Sequence, residues 1–141
     1  MKKIVIVSLY IMMLLSGCRT SDPNMVDLEE VLSAFKEQNL LLEVTKVPTK
    51  NIFGMKLNRV RPDSYKLDDK LLLIYMYTSI KEREKALQDF RNKTATFNLV
   101  SFTYYEVKNV LIFYVHGLDL SKKVAIDEKI QKVVGELNEQ R

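Results

Sequence analysis

Lys70-Leu71-Leu72-Leu73-Ile74-Tyr75-Met76-Tyr77-Thr78 decides the fold of this chain. The run is apolar at odd and even positions alike, so a strand built from it has two faces to bury and belongs in the middle of a sheet. Asp68-Asp69 just before it is a turn, since aspartate accepts turn geometry and bonds its own backbone. Ser79-Ile80-Lys81-Glu82 just after it has the spacing of a capping box. The helix it opens is expected to run to about Arg91, with Ile80, Leu87 and Phe90 inward.

Further along, Phe97 to Val107 and Val110 to His116 form the clearest hairpin, joined by Lys108-Asn109. Asp119 or Ser121 caps a last helix, whose stripe is Ile126, Ile130, Val133, Val134 and Leu137, with Glu128 and Lys132 paired on its wet side. Upstream, Asp22-Pro23 reads as a cap followed by the first helical position, and Met25, Leu28, Val31, Leu32 and Phe35 recur at helical spacing up to a stop at Asn39. Leu40 to Val47 is a strand halted by Pro48, Met55 to Val60 a short strand, and Arg61-Pro62-Asp63-Ser64 a turn. The order α-β-β-β-α-β-β-α, with single-striped helices and short turns, predicts one α+β domain: a mostly antiparallel sheet with helices packed on one face.

Before that domain comes an address. Met1-Lys2-Lys3 is basic, Ile4 to Leu15 is apolar apart from Ser8, and Leu15-Ser16-Gly17-Cys18 follows at once. That is the layout of a secretory signal, too short in its apolar part to span a bilayer. Its end resembles the bacterial lipobox, in which the thiol receives a diacylglyceryl group and cleavage leaves the cysteine first. The expected organisation is a signal peptide at 1–17, a lipidated tether at 18–24 and a single domain at 25–141. The expected location is the outer, extracytoplasmic face of the cell membrane, held by two acyl chains on Cys18.

Cleavage would leave 124 residues, enough to bury a core without staples. Lipidation consumes the only cysteine, which excludes disulfides, thiolate nucleophiles and cysteine metal sites. Losing Lys2 and Lys3 leaves 20 basic residues against 18 acidic ones, a net charge of +2. Bulk charge therefore does not make a polyanion binder, and no partner among nucleic acids is expected.

Several short stretches together carry a resemblance: the lipobox, Ala34-Phe35-Lys36-Glu37-Gln38-Asn39-Leu40, Phe53-Gly54-Met55, the capped helix, Ala95-Thr96-Phe97, Asn109-Val110-Leu111-Ile112, and His116-Gly117-Leu118-Asp119. In this arrangement the chain resembles short, uncharacterised lipoproteins of Bacillus-type Gram-positive bacteria. The resemblance spans nearly the whole chain and implies a location rather than a chemistry.

Candidate chemistry is sparse. One histidine rules out a His-rich metal site, and no Gly-x-Ser-x-Gly elbow or glycine-rich phosphate loop is present among four glycines. His116 with Asp119 as its orienting carboxylate is the one general-base pairing to weigh, against a strand-end histidine bonded to nearby backbone. Glu29-Glu30 diverge on their helix, and Asp68-Asp69 are turn formers, so neither is a proton-sharing pair. No catalytic residue, metal site or cofactor is assigned.

Two surfaces are candidates for binding. With Leu72, Ile74, Met76, Leu111, Phe113 and Val115 turned to the helices, Tyr75, Tyr77 and Tyr114, with Tyr104 or Tyr105, would lie on an open sheet face suited to docking. The alternative is that the irregular segment 48–69 folds over that face. Lys46, Lys50, Lys56, Arg59, Arg61 and Lys66 stand against a single acid, Asp63, and suit contact with anionic lipid or wall polymer. The expected function is a non-enzymatic envelope lipoprotein that binds a protein partner. The alternatives are a binder of a small ligand or cell-wall fragment between the sheet and segment 48–69, and last a hydrolase using His116.

Overall fold

The computed structural model describes residues 22–48, 50–118 and 120–140. The signal segment, Cys18 and Asp119 lie outside the described residues. Among the described residues no helix is long and apolar enough to cross a membrane.

The fold is α+β: one five-stranded sheet, every neighbouring pair antiparallel, with three α-helices among the described residues. Helix α1 (Leu28–Glu37) is followed by β1 (Glu43–Val44), a 3-10 turn (Ile52–Gly54), β2 (Asp63–Leu67), β3 (Lys70–Met76) and α2 (Ile80–Thr94). Then come β4 (Thr103–Val107), β5 (Val110–Val115) and α3 (Leu120–Glu139). The sheet order is β1-β2-β3-β5-β4, so the all-apolar strand β3 is central, as its sequence requires.

Both sequence-predicted tight turns are present. Asp68 and Asp69 both take positive φ (50° and 62°) between β2 and β3, the two-residue geometry whose twist matches the strands it joins. Lys108 and Asn109 join β4 to β5. Asn39 stops α1 in the left-handed region at φ 55°.

Four local expectations are corrected. Helix α1 starts at Leu28, because Asp27 and Glu30 form a reciprocal capping box and Asp22-Pro23 instead opens a turn closed by the Met25 N–H. Ser79 caps α2 by accepting the Glu82 N–H, but the Glu82 carboxylate turns to Lys85 and Asn58, and Ile80 is left exposed. The stretch 55–60 is no strand: Leu57 and Val60 bond each other across Asn58 and Arg59, both at positive φ. Asp63 and Ser64, expected in a turn, pair with Ile74 and Leu73, since joining the central strand outweighs local turn preference.

The largest correction concerns the faces. Helices α1 and α3 cover one face of the sheet, where Val31, Phe35, Ile130, Val133 and Leu137 pack on Leu72, Ile74, Ile112 and Tyr114. Helix α2 covers the other face, where Ala86, Leu87 and Phe90 join Phe53 and Leu57 over Leu73, Tyr75, Tyr77, Leu111 and Phe113. The helices are therefore split between two faces. The all-apolar pattern of β3, and that of β5, already demands a cover on each side.

Candidate functional site

The tyrosines expected to dock a partner are core residues. Tyr75, Tyr77 and Tyr114 are 1 %, 4 % and 0 % exposed. They do not even share a face: Tyr75 lies opposite Leu111 and Tyr114 opposite Leu72, and residues in register point the same way. Leu111 and Phe113 are thus on the tyrosine side with α2, while Ile112 and Tyr114 are on the side of α1 and α3.

The cover over Tyr75 and Tyr77 is the irregular segment 48–69. The Tyr75 hydroxyl donates to the carbonyls of Met55 at 2.8 Å and Phe53 at 3.1 Å, and the Tyr77 hydroxyl to the Leu57 carbonyl at 3.3 Å. Burial raises both phenols well above their ordinary range, and for Tyr77 the nearby Tyr75 and Asp89 add to it. Phe53 and Phe90 close the same layer around Phe113, with Phe90 and Phe113 centroids 4.7 Å apart. Asn58 fastens the segment to α2: its N–H bonds Asp89 at 2.9 Å and its side-chain amide reaches the Glu82 carbonyl at 3.2 Å.

Gly54 lets this segment close. A Cβ there would stand 2.8 Å from Val47 Cγ1 and 3.0 Å from the Pro48 carbonyl oxygen, so only glycine admits this contact. Beside it is a cleft of about 370 Å³ lined by Val44–Val47, Gly54 and 61–65. Thr45, Lys46, Arg61, Asp63 and Ser64 supply its polar wall. Its lining comes from the β1–β2 edge of the sheet and the residues flanking it, with Gly54 from the irregular stretch before β2. It is therefore not the cleft between sheet and segment 48–69 that the sequence suggested, though its volume falls within the size range of small-ligand sites.

The six cations expected to meet an anionic surface, Lys46, Lys50, Lys56, Arg59, Arg61 and Lys66, are all exposed. Among the described residues, the ion pairs involve Arg83, Lys85 and Lys93, all on α2, and none of these six. Lys46 and Arg61 reach the cleft, where Asp63 is the single acid on the wall.

His116 follows β5 and is buried. Its Nδ1 lies 2.8 Å from the Gly117 carbonyl, which only accepts, so Nδ1 carries the proton and Nε2 is left to accept from the Thr103 hydroxyl at 3.3 Å. Both ring nitrogens are thus occupied within the fold, as in the structural reading of this residue, and Asp119 lies outside the described residues. No group of three His, Cys, Asp or Glu residues able to hold a metal ion occurs among the described residues.

One residue that sequence reasoning treated only as half of a turn proves to be a clamp. Asn109 is buried; its Oδ1 accepts the Val26 N–H at 2.8 Å, and its Nδ2 donates to the carbonyls of Val26 at 3.0 Å and Tyr77 at 2.9 Å. It fixes the chain leading into α1 against the β4–β5 turn. The sequence around it, Lys108-Asn109 in a two-residue turn, carries no signal of this role, since its partner lies 83 residues away in sequence.

Searches with this chain against protein-family models, curated proteins and solved structures return no match.

Proposed function

We propose that this chain is an extracytoplasmic lipoprotein, anchored through diacylated Cys18, whose domain is a non-catalytic binding module for an anionic component of the envelope. The anchor half of this reading is carried by the order of residues 1–18. The binding half is carried by one observation: the six cations of segment 46–66 are exposed and outside the ion pairs of the described residues, and two of them flank a cleft of about 370 Å³. Exposed cations at a cleft attract carboxylates and phosphates, and Thr45 and Ser64 add hydroxyl donors beside them. The hydrolase reading loses support because His116 has its nitrogens engaged and its ring buried.

The test is a thermal melt of the detergent-solubilised full-length protein titrated with inorganic phosphate and with muramidase-released wall fragments. Ligand that binds only the folded state raises Tm with concentration. The expected result is a rise for one of these probes that is lost in Lys46→Ala/Arg61→Ala. Melting that neither probe moves contradicts the cleft as the site. A protein-binding role, the other reading of the sequence, now needs a surface other than the tyrosines, and Phe97 and Val100 favour it at 57 % and 59 % exposure.

A further inference from the structure

The sheet begins with β1, which pairs with β2 on one side and has no strand on the other. The Thr45 N–H bonds the Ser64 carbonyl, and Glu43 stands in register with Lys66. Bonded and unbonded pairs alternate along an antiparallel ladder, so the N–H and C=O of Val44 point away from β2. The same alternation turns those of Leu42 and Lys46 outward. None of these three backbones enters the turn and loop bonds of the described residues. The Val44 side chain is 84 % exposed, so the edge is open there. Such an edge is a template for another strand.

Two hollows adjoin along this edge. The cleft of about 370 Å³ holds Lys46 and Arg61, two cations against the one carboxylate of Asp63. A second hollow, of about 320 Å³, is lined by Leu32, Leu40, Leu42, Val44 and Tyr65, with Lys36 as its charged member. Val44 and Tyr65 line both, so the cationic part runs straight into the apolar part. Leu42, Val44 and Lys46 share a face by alternation, and Tyr65, the partner of Val44, places that face on the α1 side. Glu43 lies on the other face, across from Lys66. A phosphate polymer would use the cations alone. An extended peptide also uses free backbone groups and a hollow for alternate side chains.

We infer that the anionic occupant of the cleft is an extended acidic peptide, which adds to β1 as a further strand of the sheet. This rests on the cleft reading proposed above and names the class of its ligand. Charge selects an acid at Lys46 and Arg61, and the outward backbone of β1 selects a strand to carry it. The register then fixes a motif. Antiparallel to β1, as every neighbouring pair in this sheet is, the peptide sets an acidic residue across from Lys46. An apolar residue two positions later meets Val44, and another two positions on meets Leu42 and its hollow. The peptide N–H groups at those three positions face β1, and those between them face water.

The experiment titrates the detergent-solubilised full-length protein, by calorimetry, with a capped seven-residue peptide carrying glutamate second, leucine fourth and sixth, and threonine elsewhere. The expected result is saturable binding that weakens at least about tenfold when the fourth residue is N-methylated, because its bond to the Val44 carbonyl is lost. N-methylation of the fifth residue adds the same stiffness but removes no bond to β1, and should change affinity less than about twofold. Lys46→Ala/Arg61→Ala should weaken binding about tenfold and flatten its salt dependence. Both side chains are exposed, so the double variant should melt within a few degrees of the parent. No saturable binding, equal effects of the two methylations, or binding indifferent to the double substitution would each overturn the inference. Inorganic phosphate on the same samples separates the two readings. A phosphate-induced rise in Tm that needs Lys46 and Arg61, without peptide binding, sinks the strand and leaves the cleft reading standing; silence from phosphate, wall fragments and peptide alike removes both.

Discussion

The two faces of the sheet bury the same kinds of residue under different covers. On one, α1 and α3 lay apolar stripes over Leu72, Ile74, Ile112 and Tyr114. On the other, α2 covers part of the surface and an irregular segment covers the rest. The difference follows from what tyrosine needs. A buried phenol must find a partner for its hydroxyl, and the carbonyls within a helix are already bonded along its own axis. The irregular backbone at 53–57 has carbonyls to offer, and Tyr75 and Tyr77 use three of them. On the helical face Tyr105 finds no such backbone, and its hydroxyl bonds a side chain, Asp127 of α3.

Removing the aromatic key of the segment should break this comparison most severely. Phe53→Ala empties a buried site in contact with Phe90, Phe102 and Phe113, and should cost about 3–5 kcal/mol by denaturant unfolding. Gly54→Ala should come next, at about 1–3 kcal/mol, because its new methyl meets Val47 and the Pro48 carbonyl. Dynamics should follow packing here: amide exchange in 51–60 should accelerate in both variants, while α1 and α3 keep their protection. Equal loss on both faces would mean that the segment is no separate cover.

The hydroxyls sharpen the contrast at a smaller scale. Tyr75→Phe takes a donor from two buried carbonyls and should cost about 1–2 kcal/mol. Tyr105→Phe releases Asp127, which has access to water, and should cost less, by the same unfolding measurement. A reversed order would contradict the account of how each face satisfies its phenols.

Alkali tests the tyrosines together. Burial, the largest cause in each case, holds Tyr75, Tyr77 and Tyr105 above the ordinary phenol value of 10.0. Below that value both folded and unfolded chains keep these protons, and the stability they carry is complete. As pH rises past it the unfolded chain ionises first, so stability falls toward the folded-state values. Tm should therefore decline above about pH 10, with tyrosinate absorbance rising only as the protein unfolds. On the acid side burial of Asp89 opposes its charge, but Lys93 and the Asn58 N–H hold it below its usual value. That contribution is present above the unfolded pKa and lost as pH falls through the folded one, so Asp89→Asn should flatten the acid limb of the same profile by a few degrees at most.

How much of this could be read from the chain depends on how local the deciding contact is. The centrality of 70–77, the Asp68-Asp69 turn and the turn of the β4–β5 hairpin were legible, because strand pattern and turn chemistry are properties of neighbours, whereas the first hairpin strand starts at Thr103 and not at the expected Phe97. The faces were not. Strands β3 and β5 are apolar at nearly every position, so alternation carries no information about which parity meets which cover, and only the register pairing Tyr75 with Leu111 settles it. Exposure of the cations at 46–66 was legible from their type. Burial of Tyr75 and Tyr77 was legible only as the alternative in which segment 48–69 folds over them, because that segment lacks any period to show which residues it would bring. Asn109 escaped notice for the same reason, since its role is fixed by Val26 across the whole domain.

The functional account turns on the anchor, and the most direct measurement is mass spectrometry of the N-terminal peptide recovered from the membrane fraction. The prediction is a mature chain beginning at Cys18, so that trypsin releases Cys18-Arg19 with a diacylglyceryl group on the thiol. A chain that keeps residues 1–17, or one found with a free Cys18 thiol, would contradict it.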